Sequence, residues 1–426
     1  MSNKSEQTIC LYDNIGGSYL PIALRLSPYF KKTYFYSPNP NPFPRPGLSY
    51  IGKGYEDQGV FQIDDFWNKL NEIDIVILPD SYQSDIGQHL RSIGKMVWGG
   101  APSDVVETNK KTFYDVVERL GLPASNIKYI KGITALKDYL FDKSNLFIKT
   151  YPFRGVIETF QYINWNFNNV IFKDLEFANG PMAEELLFIV QDPIDAICEF
   201  GSDYYSVGNQ IPKTRCFGIE TKDAAYISKA EPNPPAPIKY VDETFAAALG
   251  AYKHCGWFST EVRYTENFIP FFNDPTPRCG MPSGLSMISL ISNWHEIIPG
   301  ACKGIFVEPV YKYKYACELI IRTSYSNKNY VPVTFPKEYA PNINLKGSFI
   351  IDGQSFIIPF LKETGFELEQ IGTVCCWGND IESVMTEAVS IASQIEAIDV
   401  KFDATALDSA KEAIEKVEKA LPGYKF

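Results

Sequence analysis

The first hundred residues alternate short apolar runs with helical stretches, and this alternation limits the possible folds more than any other feature. Four runs have strand length: TICLYD (8–13), KTYFYSP (32–38), IDIVILPD (73–80) and KMVWGG (95–100). A helix running to about Leu26 follows the first of them. Strands that alternate with helices favour a parallel, doubly wound α/β sheet. Such sheets bind ligands at their strand ends, here near Asp13 and Asp80.

Composition narrows the class of protein. The 426-residue chain has a net charge of −11, nine scattered cysteines and three distant histidines. The acidic charge argues against binding to duplex nucleic acid or to an anionic membrane, since both need clustered cations. The cysteines lack CxxC spacing, which fits a reducing cytoplasm better than disulfides or zinc. The first residues lack the apolar region behind a basic start that is typical of a secretory signal, and no apolar run reaches 18 residues, so we expect neither a secretory signal nor a membrane-spanning helix. We expect a cytoplasmic protein without a membrane partner.

Helices and a loop are predicted in the rest of the chain. The segment 104–120 predicts a helix with a buried apolar stripe and Asp104 as its N-cap. The Pro-rich stretch 230–242 predicts a surface loop, and a helix follows it to about residue 254. After residue 310, strand-like runs precede a helix at about 380–397 and a charged, Ala-rich amphipathic helix at the C-terminus.

The segment STEVRYTENFIPFFNDPTPR (259–278) combines a predicted apolar hairpin with an unusual set of polar side chains. Strand alternation places Asp274 and Thr276 on one face, and the hairpin turn brings Glu261 beside them. Two carboxylates and a neutral oxygen form a site suited to Mg²⁺, which takes further ligands from water and substrate phosphates. An ordinary surface hairpin with salt bridges explains this segment, taken alone, equally well.

Four cations are candidates for binding anions near this site. Arg263 and Arg278 flank the acids and are suited to bidentate contacts with phosphoryl or carboxylate oxygens. Lys149 lies in the apolar run LFIKTYP, and Lys110 lies in the predicted 104–120 helix. Alone, each lysine is more typical of a surface cation. Together with the acid pair, the lysines indicate a nucleoside triphosphate site with carboxylate-bound magnesium.

The order of these motifs resembles the ATP-grasp superfamily, above all the phosphoribosylamine–glycine ligase branch and its phage-encoded relatives. Four segments carry the resemblance: ETNKKTFYDVVERLGLP (107–123), FIKTYPFRGVIETF (147–160), LFIVQDPIDAICEFGSDYYSV (187–207) and GWFSTEVRYTENFIPFFNDPTPRCG (256–280). The resemblance implies three units in chain order: a Rossmann-like pre-ATP-grasp domain (1–100), a two-subdomain ATP-grasp domain (101–310), and a C-terminal rudder-like α+β module with a terminal helix (311–426).

The resemblance also implies how the phosphates and the metal would be held. Lys110 and Lys149 would contact the phosphates of ATP. Arg154 and Gly155 would lie in the loop that closes over these phosphates. Magnesium would be bound by three residues: Glu261, Asp274 and Thr276.

The remaining implied roles concern the nucleoside and the chemistry. Either Glu199 or Asp203 would hold the ribose hydroxyls. The hinge stacked on adenine includes Gln191, Asp192 and Ile194. The catalytic side chains would be Arg278, facing the acyl phosphate, with Arg263 and Lys149.

Three functions fit this pattern. The first is an ATP- and Mg²⁺-dependent ligase that joins a small-molecule carboxylate to an amine through an acyl phosphate, with a nucleotide or an amino acid as a candidate substrate. The second is a small-molecule kinase on the same scaffold. The third is a regulatory or structural protein that binds ATP without turnover; Thr276, which stands where the family has asparagine, favours it. The resemblance is also compatible with a homodimer and, for a phage-encoded protein, with the host cytoplasm.

Overall fold

The computed structural model describes residues 4–38, 47–151, 159–222, 224–359 and 369–426. Within these ranges the strands form four sheets, of five, four, nine and three strands. The predicted α/β class, with a parallel N-terminal sheet, is therefore confirmed. In the described part of the chain, the helices are too short or too polar to cross a membrane.

The first sheet is parallel throughout. Its strands are β1 (Ser5–Tyr12), β2 (Phe30–Tyr36), β3 (Val60–Gln62), β4 (Ile75–Leu78) and β5 (Met96–Gly99). Its helices are α1 (Leu20–Leu26), α2 (Phe66–Lys69) and α3 (Ser84–Ser92). The strand order is β3-β2-β1-β4-β5, so the connections change direction between β1 and β4. Such a switch point is where open α/β sheets form ligand crevices, and Asp13 and Asp80 follow these two strands.

The predicted helix at 104–120 is in fact two helices, α4 (Val105–Thr108) and α5 (Lys110–Arg119). Asn109 separates them because its backbone is extended, with φ −132° and ψ 94°. The Asn109 side chain caps α5 by accepting a hydrogen bond from the Thr112 backbone N–H at 3.1 Å. Asp104 makes no capping hydrogen bond, so that prediction was wrong. The break makes Lys110 the first residue of a new helix.

The next sheet is antiparallel, with strand order β6-β9-β7-β8. It contains β6 (Ile127–Lys131), α6 (Ile133–Leu140), β7 (Leu146–Tyr151), β8 (Thr159–Tyr162), α7 (Trp165–Asn179) and β9 (Leu187–Gln191). β7 and β8 pair as an antiparallel hairpin. Arg154 and Gly155 lie between these strands, outside the described residues.

The nine-stranded sheet begins with strands that carry the candidate site. These elements are β10 (Ala196–Val207), β11 (Arg215–Thr221), β12 (Ala225–Glu231), α8 (Ala236–Ala251), β13 (Cys255–Thr265), β14 (Pro270–Thr276), α9 (Gly284–Leu290) and α10 (Trp294–Cys302). The β13–β14 hairpin is confirmed and continues past Pro275 to Thr276. The Pro-rich stretch was wrongly predicted to be a loop up to residue 242, since α8 begins at Ala236. Proline is favoured in the first turn of a helix, which explains the early start.

The C-terminal elements extend the same sheet and add a small one. They are β15 (Tyr315–Thr323), β16 (Val331–Val333), β17 (Ile343–Leu345), β18 (Ser348–Ile351), β19 (Gln354–Ile357), β20 (Glu369–Gly378), α11 (Ile381–Ala392), β21 (Val400–Lys401) and α12 (Ala406–Ala420). The large sheet has the order β14-β13-β10-β11-β12-β15-β20-β17, with β21 beside β15. β12 lies before residue 310 and β15 lies after it, and the two strands pair in one sheet. The sheet therefore includes strands from both sides of the domain limit that the sequence predicts at residue 310.

Three buried tryptophans connect the N-terminal sheet to the large sheet. Trp98 of β5 packs edge-on against Trp257 of β13, with ring centroids 5.2 Å apart. Trp294 of α10 packs against Trp98 at 6.3 Å. All three are at most 1% exposed. Their burial removes a large apolar area from water, which fixes the edge strand β5 of the first sheet against the sheet that carries the candidate site.

Gly218 on β11 provides a test of the packing around the site. An alanine Cβ at this position would lie 1.7 Å from the Tyr226 hydroxyl oxygen. We expect Gly218→Ala to lower the free energy of unfolding by about 1–3 kcal/mol, because the tyrosine ring has to move. Thermal unfolding measures the loss. In a Tyr226→Ala background the same substitution should cost much less, and an equal cost in both backgrounds would contradict the clash.

Candidate active site

A polar cavity of about 230 Å³ lies on one face of β10, β13 and β14. The register explains which side chains share this face. Gly201 of β10 pairs with Glu261 of β13, and Glu261 pairs with Asp274 of β14. Two residues along each strand, Asp203 and Thr276 both pair with Ser259. Since alternate residues of a strand point to the same face, the structure brings the three predicted magnesium ligands together.

The two carboxylates of this face have pKa values shifted in opposite directions. Burial, together with the charges of Glu199 and Asp274, raises the pKa of Glu261 to about 8. Burial also acts to raise the pKa of Asp274, but Lys110, Lys149 and Arg278 outweigh it and hold that pKa below its ordinary value. The Lys110 Nζ lies 2.5 Å from Asp274 Oδ1.

A divalent cation fits the donor set of this face. Burial and the negative charges of Glu199 and Asp274 disfavour the charged form of Glu261, and a cation bound at this face would offset them. Among the described residues, no three His, Cys, Asp or Glu side chains are arranged to hold a metal by themselves. Two carboxylates and a hydroxyl match Mg²⁺, which usually keeps waters and takes phosphate oxygens as further ligands. Magnesium binding by Glu261, Asp274 and Thr276 remains a prediction.

Lys149 reaches towards this face from the four-stranded sheet. Its side chain is 9% exposed and donates a hydrogen bond to the Tyr114 hydroxyl at 2.9 Å. Tyr114 in turn donates to Gln191 Oε1 at 3.3 Å, and Gln191 donates to Ser125 Oγ at 2.6 Å. Tyr114 follows Lys110 by four residues on α5, so the two side chains lie on the same face of the helix. This face therefore carries Lys110, a candidate for phosphate binding, and Tyr114, which orients Lys149. Tyr114 was not among the predicted site residues, although its spacing of four residues from Lys110 in a predicted helix indicates a shared face.

We expect Tyr114→Phe to weaken ATP binding by about tenfold, because a hydrogen bond to a charged group contributes roughly 1.5–3 kcal/mol and its loss frees the Lys149 ammonium to move. Isothermal titration with ATP and Mg²⁺ measures the effect. Tyr129→Phe is the matched control, since the buried Tyr129 hydroxyl has no hydrogen-bond partner among the described residues. Equal ATP affinity of the Tyr114→Phe variant and wild type would show that Tyr114 does not position Lys149.

The predicted hinge residues lie at the end of β9 and in the connection from β9 to β10. Gln191 is buried and is held by its side-chain hydrogen bonds. Asp192 is exposed, accepts a side-chain hydrogen bond from Asn126 at 2.9 Å and donates its backbone N–H to the Asn126 carbonyl. The Ile194 carbonyl accepts from the Ala196 N–H at 2.9 Å. Adenine binding by this segment is consistent with its position between the two sheets and stays a prediction.

The two candidates for the ribose contact differ in environment. Glu199 is exposed and accepts a hydrogen bond from Arg263 Nε at 2.8 Å. Asp203 is 3% exposed and accepts hydrogen bonds from the Tyr226 hydroxyl and from Ser259 Oγ. Burial raises the pKa of Asp203. Both acids line the cavity, and so does Arg278, whereas the predicted catalytic Arg263 does not.

Arg278 lines the cavity and is held from behind by carboxylates of other elements. Its Nε lies 3.0 Å from Glu107 Oε1 of α4 and 3.7 Å from Asp80 Oδ1 at the switch point of the first sheet. Tyr19 donates a hydrogen bond to Asp80 at 3.1 Å. Burial lowers the pKa of Arg278, but Glu107, Tyr19 and Asp80 more than compensate and raise it. The sequence analysis did not predict these partners, because no local pattern connects residues so far apart.

The chain resembles known proteins in its three-dimensional fold and not in its sequence. No protein-family model and no curated protein matches the chain. Phosphoribosylamine–glycine ligase from Thermotoga maritima matches with a TM-score of 0.71 at 12% identity, over 93% of this chain and 99% of that one. Biotin carboxylase from Campylobacter jejuni gives 0.64 at 10% identity, over 95% and 98%. L-amino acid ligase from Bacillus licheniformis gives 0.57 at 12%, over 94% and 100%. The chain has the ATP-grasp fold.

The charged residues of the site come from several elements of this fold. The acids Glu261 and Asp274 come from the large sheet, Lys149 comes from the four-stranded sheet, and Lys110 comes from the helix before it. Arg278 follows β14 and is anchored to the first sheet. Lysine and arginine side chains from separate elements therefore surround the carboxylate of Asp274.

Proposed function

We propose that the chain is an ATP-dependent ligase that joins a small-molecule carboxylate to an amine through an acyl phosphate. The observation that supports this function is the arrangement around Asp274. This carboxylate faces Glu261 across the β13–β14 pair and is surrounded by Lys110, Lys149 and Arg278 at a cavity. The chain shares its fold with the ligases named above, which supports this chemistry. The fold alone does not determine an activity, so the proposal depends on the residues of the site.

The proposed reaction has two balanced steps. A carboxylate oxygen of the substrate attacks the γ-phosphorus of ATP, the bond to the β–γ bridging oxygen breaks, and ADP leaves. The amine nitrogen then attacks the carbonyl carbon of the acyl phosphate, the carbon–oxygen bond to phosphate breaks, and the nitrogen loses a proton. The products are an amide, ADP and inorganic phosphate. The reaction needs no protein nucleophile, consistent with a site made of carboxylates and cations.

Each charged residue has a proposed task in these steps. Lys149 and Lys110 would hold the phosphate oxygens and neutralise the charge that moves towards ADP. Magnesium, bound by Glu261, Asp274 and Thr276, would supply Lewis-acid stabilisation of the transferred phosphoryl group. Arg278 would orient the substrate carboxylate and the oxyanion that develops on it, because its planar guanidinium suits bidentate contacts with carboxylates.

The experiment that tests the function measures ADP release by purified protein with Mg²⁺ and ATP. The protein is assayed alone, with pooled carboxylates, with pooled amines, and with both pools. We expect release that requires both pools and is lost in Lys149→Ala. Release with the acid or amine pool alone would indicate a kinase. ATP binding without release under any condition would indicate the regulatory protein that Thr276 favours, and no ATP binding would exclude all three functions.

A further inference from the structure

Helix α7 has apolar side chains on two opposite faces. Its inner face, with Phe172 and Leu175, packs in the core beside the four-stranded sheet. Its outer face carries the side chains of Phe167, Val170 and Phe177, which are 68%, 59% and 93% exposed. A helix that is apolar all round is typical of one that is covered on every side. Single exposed apolar residues are ordinary, but a row of them along one helix indicates an interaction surface.

Two charged residues lie in the middle of this outer face. The spacing i, i+3, i+4, i+7 places four residues along one stripe of the helix: Val170, Lys173, Asp174 and Phe177. Lys173 and Asp174 are exposed, and neither side chain forms an ion pair or a hydrogen bond with a described residue. The stripe therefore has one charge of each sign at its centre and an apolar side chain at each end.

The order of residues in this stripe is complementary to itself. A two-fold axis that passes between Lys173 and Asp174 would pair two copies of the helix in antiparallel orientation. Lys173 would then lie opposite Asp174 of the second copy, and Val170 would lie opposite Phe177 of the second copy. Each contact would occur twice, as in every isologous interface. The two central charges cancel, so the stripe adds no repulsion between copies, although each chain carries a net charge of −11.

We propose that the outer face of α7 binds the same face of a second copy of the chain, which gives a two-fold symmetric dimer. Antiparallel packing would bury the exposed phenylalanines and let each Lys173 pair with an Asp174. A helix of 15 residues is about 22 Å long, so the contact is smaller than a standard protein interface. The dimer should therefore be weak, with a dissociation constant of about 10 µM. This association is independent of the proposed ligase function, since it needs no ATP.

Sedimentation equilibrium of the purified chain without nucleotide tests the dimer. The mean mass should rise from that of one chain towards that of two as the concentration passes about 10 µM. Phe177→Ser should raise the dissociation constant about tenfold or more, because it removes an apolar contact from each half of the interface. The side chain of Phe177 is 93% exposed in the single chain, so the variant should keep its fold.

Phe268→Ser is the matched control for Phe177→Ser. Phe268 is 67% exposed and lies in the turn between β13 and β14, away from α7. This substitution should leave the dissociation constant of the dimer unchanged. An equal effect of Phe177→Ser and Phe268→Ser would show that general surface apolarity, and not the face of α7, causes the association.

Exchange of the central charges tests the two-fold arrangement. Lys173→Asp and Asp174→Lys each place like charges opposite one another, and each should weaken self-association about tenfold. A mixture of these two variants should form a heterodimer of about wild-type affinity, because each copy then has the charge that the other lacks. The double variant Lys173→Asp, Asp174→Lys should also dimerise like wild type.

Three results would overturn the proposal. One is a chain that stays monomeric up to about 1 mM, which would assign the outer face of α7 to a different partner. Another is a dimer that neither Phe177→Ser nor the single charge variants weaken, since its interface would lie elsewhere. The third is a mixture of Lys173→Asp and Asp174→Lys that associates no better than either variant alone, because the two residues would then not face each other.

Discussion

Asp274→Asn should reduce acid- and amine-dependent ADP release by about 10²–10³-fold, the range found when one group that stabilises transition-state charge is removed. The substitution keeps the shape of the side chain but removes the charge that faces Glu261 and pairs with Lys110. It therefore takes away both a proposed magnesium ligand and the partner that holds Lys110. The measurement is kcat for ADP release with both substrate pools at saturation.

Asp115→Asn is the matched control for this prediction. Asp115 lies on α5 and forms an exposed pair with Lys111 at 2.6 Å. Exposed pairs of this kind contribute little, so the control should keep wild-type turnover. If Asp274→Asn also kept wild-type turnover, Asp274 would have no part in the chemistry. If raising Mg²⁺ from millimolar to molar concentration restored turnover, the variant would have lost affinity for the metal. This result is the one expected if Asp274 is a magnesium ligand.

Arg278→Met should lower the free energy of unfolding by about 3–5 kcal/mol, because it leaves Glu107 and Asp80 buried without their cation. Glu107 is 9% exposed and Asp80 is 4% exposed, so water solvates these two carboxylates less well than it would at the surface. Urea unfolding followed by circular dichroism measures the loss. This prediction concerns stability and is independent of any activity of the chain.

Two further variants separate charge from packing. In the double variant Glu107→Gln, Arg278→Met, one of the two carboxylates that lost their cation is also removed. The free energy of unfolding should therefore recover in part. Arg263→Met is the exposed counterpart, since Arg263 pairs with the 46%-exposed Glu199, and should cost less than about 1 kcal/mol. Similar losses for Arg278→Met and Arg263→Met would show that the buried network contributes no more than a surface pair.

Local patterns predicted most of the elements, and their failures have local causes. The β13–β14 hairpin was predictable because apolar alternation and a polar turn specify both strands and their shared face. The segment 104–120 was predicted as one helix because its apolar residues keep helical spacing on both sides of Asn109. The extended backbone of Asn109 has no effect on that spacing. The start of α8 was missed because proline clusters are typical of loops and of first helical turns alike.

The sequence by itself determined the α/β class, the hairpin that presents Glu261, Asp274 and Thr276, and the placement of Lys149 on an apolar strand. These features depend on contacts between residues close in the chain, and periodicity records such contacts. Only the tertiary structure decided that Lys110 meets Asp274 across 164 residues and that Arg278 meets Glu107 across 171. Such pairs depend on how separate sheets pack, which no local pattern encodes.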